Sequence, residues 1–412
     1  MGITEEVDAI LEYGEICDHC LGRFYGKRSF GLTNAERGRA LRIACEVSAN
    51  RPHREPDPAS CWVCGGELSR IDDWAEKVAG ALSGIEFETL LIGTRVPPLV
   101  AEGEEMVWSD LALHDPEPLK AEMNREVGKA VSGLTGKNAD LKNPDVVAIL
   151  DLGEGTVEVQ VNPVFFAGRY LKYERGIPQT HWDCRACRGA GCERCNYTGK
   201  QYLDSVEELI GRPAVEVFEA KNAILHGAGR EDIDARMLGS GRPFVMEIEA
   251  PRKRSVDLAA LEEKINRDAA GRVAVRLDGW ADRKMVQSIK SGKGHKRYRI
   301  LVEIDGSVTP DEFRAALDQL KGATIRQRTP TRVSHRRADK VRERRVLDIE
   351  CTGGVDGRYW VEVAGEAGLY IKELVSGDTG RTRPSLAQIL GRTAHVVSLD
   401  VVQVETANEY GE

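Results

Sequence analysis

Two residue patterns in this 412-residue chain could do chemistry. The first runs from Gly227 to Pro243 and packs three carboxylates, Glu231, Asp232 and Asp234, and three arginines, Arg230, Arg236 and Arg242, between glycines. Guanidinium neighbours keep a carboxylate ionised, and an ionised carboxylate can serve as nucleophile or base. On composition alone the same segment is also a solvated, glycine-bracketed turn. The second pattern is cysteine spacing: eight of the ten cysteines fall in Cys-x-x-Cys pairs.

Cys17-Asp-His-Cys20 and Cys61-Trp-Val-Cys64-Gly-Gly can each present two thiolates from one tight turn. Together they complete the four-sulfur tetrahedral shell that structural zinc prefers, a closed shell that holds a fold and performs no chemistry. A second set, Cys184-Arg-Ala-Cys187 and Cys192-Glu-Arg-Cys195, has only four residues between its pairs and resembles a shortened DnaJ-type zinc knuckle. So short a connector strains a single-metal shell, which leaves two readings, a second zinc or a reduced glycine-rich hinge. Cys45 and Cys351 sit singly among apolar neighbours and read as small core residues.

Helices and strands must position these groups. Residues 1–66 read as a small zinc-stapled helical module, in which Thr33-Asn-Ala-Glu36 is a capping box opening a basic helix. From 67 to 180, helices alternate with β-like runs such as Val146–Leu150 and Val157–Val161, the pattern of an α+β domain. Residues 181–203 form the Cys-rich knuckle and linker. Residues 204–412 form the largest block, with strands at Phe244–Glu249, Arg299–Ile304 and Tyr359–Val363 and helices at Leu258–Ala269 and Asp311–Leu320. The fold class is therefore α+β and multi-domain.

Charge is unevenly spread. The chain carries 58 Lys and Arg against 66 Asp and Glu, a net charge of −8 that argues at first against a polyanionic partner. Between Pro251 and Arg345, however, 25 basic residues face 13 acidic ones, a balance of +12 that leaves −20 for the remainder. The richest run carries Arg326, Arg328, Arg332, Arg336 and Arg337, and a second carries Lys296, Arg297 and Arg299 around Tyr298. Acids are scarce there, so the guanidiniums read as unpaired groups awaiting phosphate, with an RNA or DNA backbone as the natural partner. Apolar runs fall short of the ~18 residues that span a bilayer, and the acidic opening is no signal peptide, which predicts a cytoplasmic protein. Neither a Gly-x-Gly-x-x-Gly nor a Gly-x4-Gly-Lys-Ser/Thr loop occurs, so no nucleotide cofactor is expected.

Gly229-Arg230-Glu231-Asp232 resembles the Gly-Arg-x-Asp active-site loop of pseudouridine synthases, and the segment through Pro243 is similar to the tRNA pseudouridine synthases that carry an N-terminal THUMP domain. Further matches run along the chain in order. They are Cys17–Arg23 with Thr33–Gly38; Asn124–Lys129 and Gly168–Gly176, which look like the THUMP region; Arg328–Arg337; and Gly368–Ser385, whose Tyr370-Ile-Lys372 resembles the third active-site motif. The resemblance is to the archaeal-sized enzymes acting on uridines 54 and 55 of the TΨC arm.

The resemblance implies a catalytic domain built on a mixed, mostly antiparallel sheet flanked by helices. It implies an isomerisation in which uracil leaves C1′ through N1, turns, and rejoins through C5, with no organic cofactor. Asp232 would be the catalytic carboxylate, as nucleophile or base. Lys372 would pair with it, and Tyr298 would stack on the flipped base. Arg230 would help extrude the uridine, and Tyr370, Lys296, Arg328, Arg332, Arg336 and Arg337 would contact RNA. Leu386 would border the pocket. A chain of this kind, clamping tRNA with several domains, works as a monomer. The competing reading is a non-catalytic zinc-containing RNA-binding or RNA-chaperone protein.

Overall fold

The computed structural model describes residues 2–114, 116–292, 294–334, 338–355 and 357–405. Arg336 and Arg337 lie outside the described residues. The chain divides into two compact units, residues 1–162 and 163–412. No helix among the described residues is long and apolar enough to cross a membrane.

The first unit opens with three helices, α1 (Ile3–Glu12), α2 (Asp18–Arg23) and α3 (Asn34–Ser48). Thr33 caps α3 as its spacing predicts: its hydroxyl accepts from the Glu36 amide at 3.2 Å while the Glu36 carboxylate accepts from the Thr33 amide at 2.7 Å. Helices α2 and α3 cross with backbones almost in contact, because glycines face each other. A Cβ built on Gly22 would lie 1.8 Å from the Asn34 carbonyl oxygen, and one on Gly38 would lie 1.9 Å from that of Asp18.

After α4 (Ile71–Ala81) come β1 (Thr89–Arg95), α5 (Pro98–Asp110), α6 (Leu119–Thr135), β2 (Asn138–Ala139), β3 (Val146–Asp151) and β4 (Thr156–Val161). The strands order as β2-β1-β3-β4, with β1 parallel to both neighbours and β4 antiparallel to β3. One apolar core runs from Val7 and Ile10, through Cys17 and Cys64, to Trp74, Leu90, Val127 and Leu150. The cysteine-bearing helices and the sheet therefore share a core, where the sequence suggested a module ending at 66. The fully buried Arg23 of α2 reinforces that union by donating to Glu104 of α5 at 2.6 Å.

The second unit begins earlier than residue 181. Strand β5 (Val164–Lys172), which the sequence reading assigned to the THUMP-like region, pairs instead with two strands of the catalytic block. These are β7 (Arg236–Glu249), reached through α7 (Val206–Phe218) and β6 (Asn222–Gly227), and β8 (Val273–Ala281), reached through α8 (Leu258–Asp268). Then follow α9 (Arg283–Ser291), β9 (Lys296–Ile304), α10 (Pro310–Leu320), β10 (Thr324–Arg328), β11 (Val341–Val355), β12 (Arg358–Gly365), α11 (Ile371–Ser376), β13 (Thr382–Arg383), α12 (Leu386–Leu390) and β14 (Ala394–Val404).

Ten strands make one sheet in the order β13-β10-β11-β12-β9-β14-β7-β5-β8, with β6 also on β7. Every pairing is antiparallel except β14 with β7. That parallel contact is short, Asp400 with Arg236 and Val401 with Met237, and it is reinforced by Arg236 donating to Asp400 at 2.9 and 2.6 Å. The main core includes Phe166, Phe244, Met246, Ile300, Val361, Leu374 and Leu386.

Gly38→Ala is expected to destabilise the first unit by about 3 kcal/mol, since the added methyl must push apart a pair of backbones that no rotamer change can relieve. A thermal midpoint unchanged from wild type would contradict the close crossing of α2 and α3.

Candidate active site

The loop between β6 and β7 carries the three carboxylates, and it is pinned from below. Lys172 of β5, fully buried, sends its ammonium to the carbonyls of Ile177 at 2.8 Å, Ile233 at 3.1 Å and Asp232 at 3.4 Å. Burial lowers its pKa, and these carbonyls supply the polar partners a buried ammonium requires. Gln179 donates to the Gly229 carbonyl at 2.9 Å, and the Gly176 amide donates to Ile233 at 2.9 Å. Gly229 itself has φ +81°, and a Cβ there would meet the Lys296 ammonium at 2.8 Å. The segment from Arg169 to Gln179 thus serves this loop.

The three carboxylates meet three environments. Glu231 points inward: its side chain is 0% exposed, accepts from Arg242 at 2.8 Å, and accepts the single proton of the Tyr170 hydroxyl, which lies 2.9 and 2.8 Å from its two oxygens. Arg242, 2% exposed at its side chain, also donates to the Ala228 carbonyl at 2.6 Å. Asp234 is 68% exposed and accepts from Lys372 at 2.9 and 2.7 Å. Burial of its surroundings pushes the Asp234 carboxyl up, but Lys372 outweighs that and holds it below the usual range. Asp232, 29% exposed, lies in the cleft between two cations, with Oδ1 accepting from Arg332 at 2.8 Å and Oδ2 at 3.6 Å from the Lys372 ammonium.

Arg332 holds two acids at once. It also donates to the nearly buried Glu373 at 2.7 and 3.3 Å, and these carboxylates raise its pKa against the burial that lowers it. Residues 371–376 start where Gln327 of β10 fixes Tyr370, accepting from its amide at 2.8 Å and donating to its carbonyl at 2.9 Å. That clamp sets Lys372 and Glu373 opposite Asp232 and Arg332.

The resulting cleft, about 270 Å³, is lined by Arg230, Asp232, Lys296, Tyr298, Arg332, Tyr370 and Lys372 together with Trp182, Leu399 and Val401. Tyr298, on β9 opposite Val363 and Val401, is 9% exposed, and burial pushes its phenol up to about 12. The Arg230 guanidinium lies 5.1 Å from the centre of the Trp182 ring. Burial and the Arg242 charge bring the Lys296 ammonium down to about 8.

Several sequence readings need correction. Arg332 is not an unpaired guanidinium, because Asp232 and Glu373, distant in sequence, pair with it. Arg328 does not line the cleft; it forms a fork with Asp339 at 2.5 to 3.0 Å. Leu386 is 1% exposed in the core and is not part of the cleft wall. Lys372 binds Asp234 more closely than Asp232. The sequence reading named Arg242 only as one of the loop's guanidiniums and Tyr170 and Lys172 only as part of the Gly168–Gly176 match, and gave no role to Gln179, Trp182, Gln327 or Glu373.

Both cysteine tetrads suit a four-coordinate metal. Each brings four sulfurs within 4.8 Å of one another. Zinc–thiolate bonds of about 2.3 Å in a tetrahedron put sulfurs about 3.8 Å apart. Cys17–Cys64 stands at 3.9 Å, and in the knuckle Cys184–Cys192, Cys187–Cys195 and Cys192–Cys195 stand at 4.0, 3.8 and 3.7 Å. The short connector therefore does not strain the second shell, because the turns at Gly189 and Gly191, both at positive φ, fold it back on itself.

A carboxylate between two cations, facing a buried tyrosine at the mouth of a mixed sheet, belongs to the pseudouridine synthase class of isomerases, and the comparisons with known proteins give the same class. The chain is 45% identical to a tRNA pseudouridine synthase of Methanothrix thermoacetophila over 96% of this chain and 93% of that one. It is 47% identical to the corresponding protein of Halorubrum lacusprofundi over 99% and 98%, and 43% identical to that of Methanopyrus kandleri over 94% and 95%. A chain of a solved Cbf5-Nop10-Gar1 complex overlaps 48% of this chain and 45% of its own length at 17% identity and a TM-score of 0.32, too shallow to transfer any residue's role. The chain belongs to the Pus10 family: the family model for the Pus10 C-terminal region matches residues 165–405, more than half of it, and that for the archaeal Pus10 THUMP domain matches residues 74–151.

Glu231→Gln is expected to cost about 3–5 kcal/mol of stability in the second unit, because it strands the Arg242 charge in the interior. A denaturation midpoint within error of wild type would show that Arg242 finds another partner.

Proposed function

We propose that this chain isomerises uridine 54, uridine 55 or both in the TΨC arm of tRNA, acting as a cytoplasmic monomer with Asp232 as its catalytic carboxylate. The observation that carries the reading is the choice among carboxylates: of the three in the loop, Asp232 is the one set in the cleft between Arg332 and Lys372. There it can act as either a nucleophile at the ribose or a base.

The other residues take roles that fit their positions. Tyr298 presents a ring to the extruded base, on whose face it can stack. Lys372 shares its charge between Asp232 and Asp234 and so holds the catalytic carboxylate without saturating it. Arg230 on Trp182 forms a wedge at the rim, suited to filling the gap a flipped uridine leaves, where unstacking costs a few kcal/mol. Lys296 and Tyr370 line the wall and contact the nucleotide's backbone, and Arg328, Arg336 and Arg337 contact the RNA as well. Each cysteine tetrad holds a structural zinc that takes no part in the chemistry, since four thiolates close the shell.

Incubation with an unmodified tRNA transcript and no cofactor, followed by carbodiimide mapping, is expected to yield pseudouridine in the TΨC arm. Asp232→Asn is expected to abolish it while leaving tRNA affinity within about two-fold; turnover in that variant, or no pseudouridine from wild type, overturns the reading.

Lys296 predicts a pH effect. Its ammonium is charged below about 8 and neutral above, so phosphate attraction falls as pH rises through that value. The slope of log affinity against log salt should drop by about one between pH 7 and 9.5 in wild type, and Lys296→Met should show the shallower slope at both pH values.

A further inference from the structure

The knuckle from Cys184 to Cys195 carries more than four sulfurs. Arg185, Arg188 and Arg194 are exposed, and among the described residues their guanidiniums have no ion-pair or hydrogen-bond partner. One acid, Glu193, stands among them. Beside them Tyr197 is 73% exposed and held at φ +59°, directly after Asn196 at φ +49°, a conformation uncommon for a bulky residue. The turn that holds it is tightly bonded: the Tyr197 amide donates to the Cys192 carbonyl at 2.9 Å, and the Asn196 amide to Glu193 at 3.0 Å. The Thr198 hydroxyl donates to the Cys195 carbonyl at 2.6 Å. An aromatic ring thus stands in water on a tightly bonded turn of a segment that also exposes three unpaired arginines.

The knuckle is rooted at the catalytic cleft. The Cys184 amide donates to Gly199 at 2.7 Å and that of Gln201 to Trp182 at 2.9 Å, closing its base. Trp182 lines the cleft beneath Arg230 and packs edge-on against Tyr202 with ring centres 5.8 Å apart. A strand that delivers a uridine to Asp232 therefore passes next to the knuckle. A fixed ring accepts the face of any base, and unpaired guanidiniums suit flanking phosphates. Burial of the ring against another protein would favour apolar neighbours, and the exposed side chains of this short segment include Arg185, Arg188, Arg194 and Asn196.

We propose that the knuckle is a second RNA-docking surface, on which Tyr197 stacks against an unpaired base of the substrate and Arg185, Arg188 and Arg194 hold the adjoining phosphates. The proposal rests on the RNA-substrate reading above but is tested by binding, so the two fail separately. Fluorescence anisotropy with an unmodified tRNA transcript is expected to give about ten-fold weaker binding for Tyr197→Ala and wild-type binding for Tyr197→Trp, each with two zinc equivalents retained. Joint replacement of the three arginines by Gln should flatten the salt slope by about two to three. Unchanged affinity in Tyr197→Ala, or equal loss in the Ala and Trp variants, overturns the proposal; the former also fits a surface meant for a protein partner. Should Tyr197→Ala lose metal, photocrosslinking of wild type to transcript bearing 4-thiouridine decides: adducts on the knuckle peptide are expected, and their absence overturns the proposal. Intact pseudouridine formation with unmoved affinity would sink the docking surface alone, and shifted affinity without pseudouridine would sink the catalytic reading alone.

Discussion

The Glu231 carboxylate and the Arg242 guanidinium leave water together, 2.8 Å apart, and the catalytic loop takes its path from that contact. Removing two ions from water costs several kcal/mol each, and the attraction between them offsets this only when the remaining hydrogen-bonding groups are also met. Here Tyr170 supplies the second donor to the carboxylate, and the Ala228 carbonyl takes an arginine proton. Such a pair adds little net stability, but it is selective: any path that turns Glu231 outward leaves Arg242 charged and alone. With Glu231 committed to the interior and Lys172 holding the carbonyls on either side of Ile233, Asp232 is delivered to the cleft.

Around Asp232, two cations are shared among three acids. Arg332 and Lys372 each serve two carboxylates, Asp232 with Glu373 and Asp232 with Asp234. Asp232 receives a share of each, a full hydrogen bond on one oxygen and a looser 3.6 Å approach on the other. That division leaves one oxygen incompletely satisfied, which a carboxylate saturated as Glu231 is could not offer. Glu373 and Asp234 thereby limit how tightly Arg332 and Lys372 bind Asp232.

What could be read from the sequence followed from local rules. Cysteine pairs, the capping box at Thr33 and the strands at Val146 and Arg299 all rest on spacings within a few residues. What could not be read rests on contacts between distant segments. Strand β5 has the same alternation whether it joins the first sheet or the second, and only its pairing with β7 and β8 assigns it. Arg332 looked unpaired because its partners lie 100 and 41 residues away. The basic stretch as a whole misled in the same way: Arg299 finds Glu362 and Arg328 finds Asp339 once the strands are laid side by side. Charge counted along a chain overstates free charge wherever the strands that supply counter-ions are remote in sequence.

The two thiolate cages differ for a related reason. Between Cys20 and Cys61 lie 40 residues, and between Cys187 and Cys192 only four. The entropy of closing a loop grows as the logarithm of its length, so a metal bridging the longer gap constrains the unfolded chain by about 2 kcal/mol more than one bridging the shorter. The first tetrad is fully buried and continuous with a core that includes Trp74 and Leu150, so its closure acts on the whole first unit. The second is partly exposed and encloses no core, so a metal there can do little for the fold at large. What it can do is fix a short turn whose backbone would otherwise relax, with Asn196 and Tyr197 returning to negative φ. The same four-sulfur chemistry thus staples a domain in one place and sets the shape of a small exposed surface in the other.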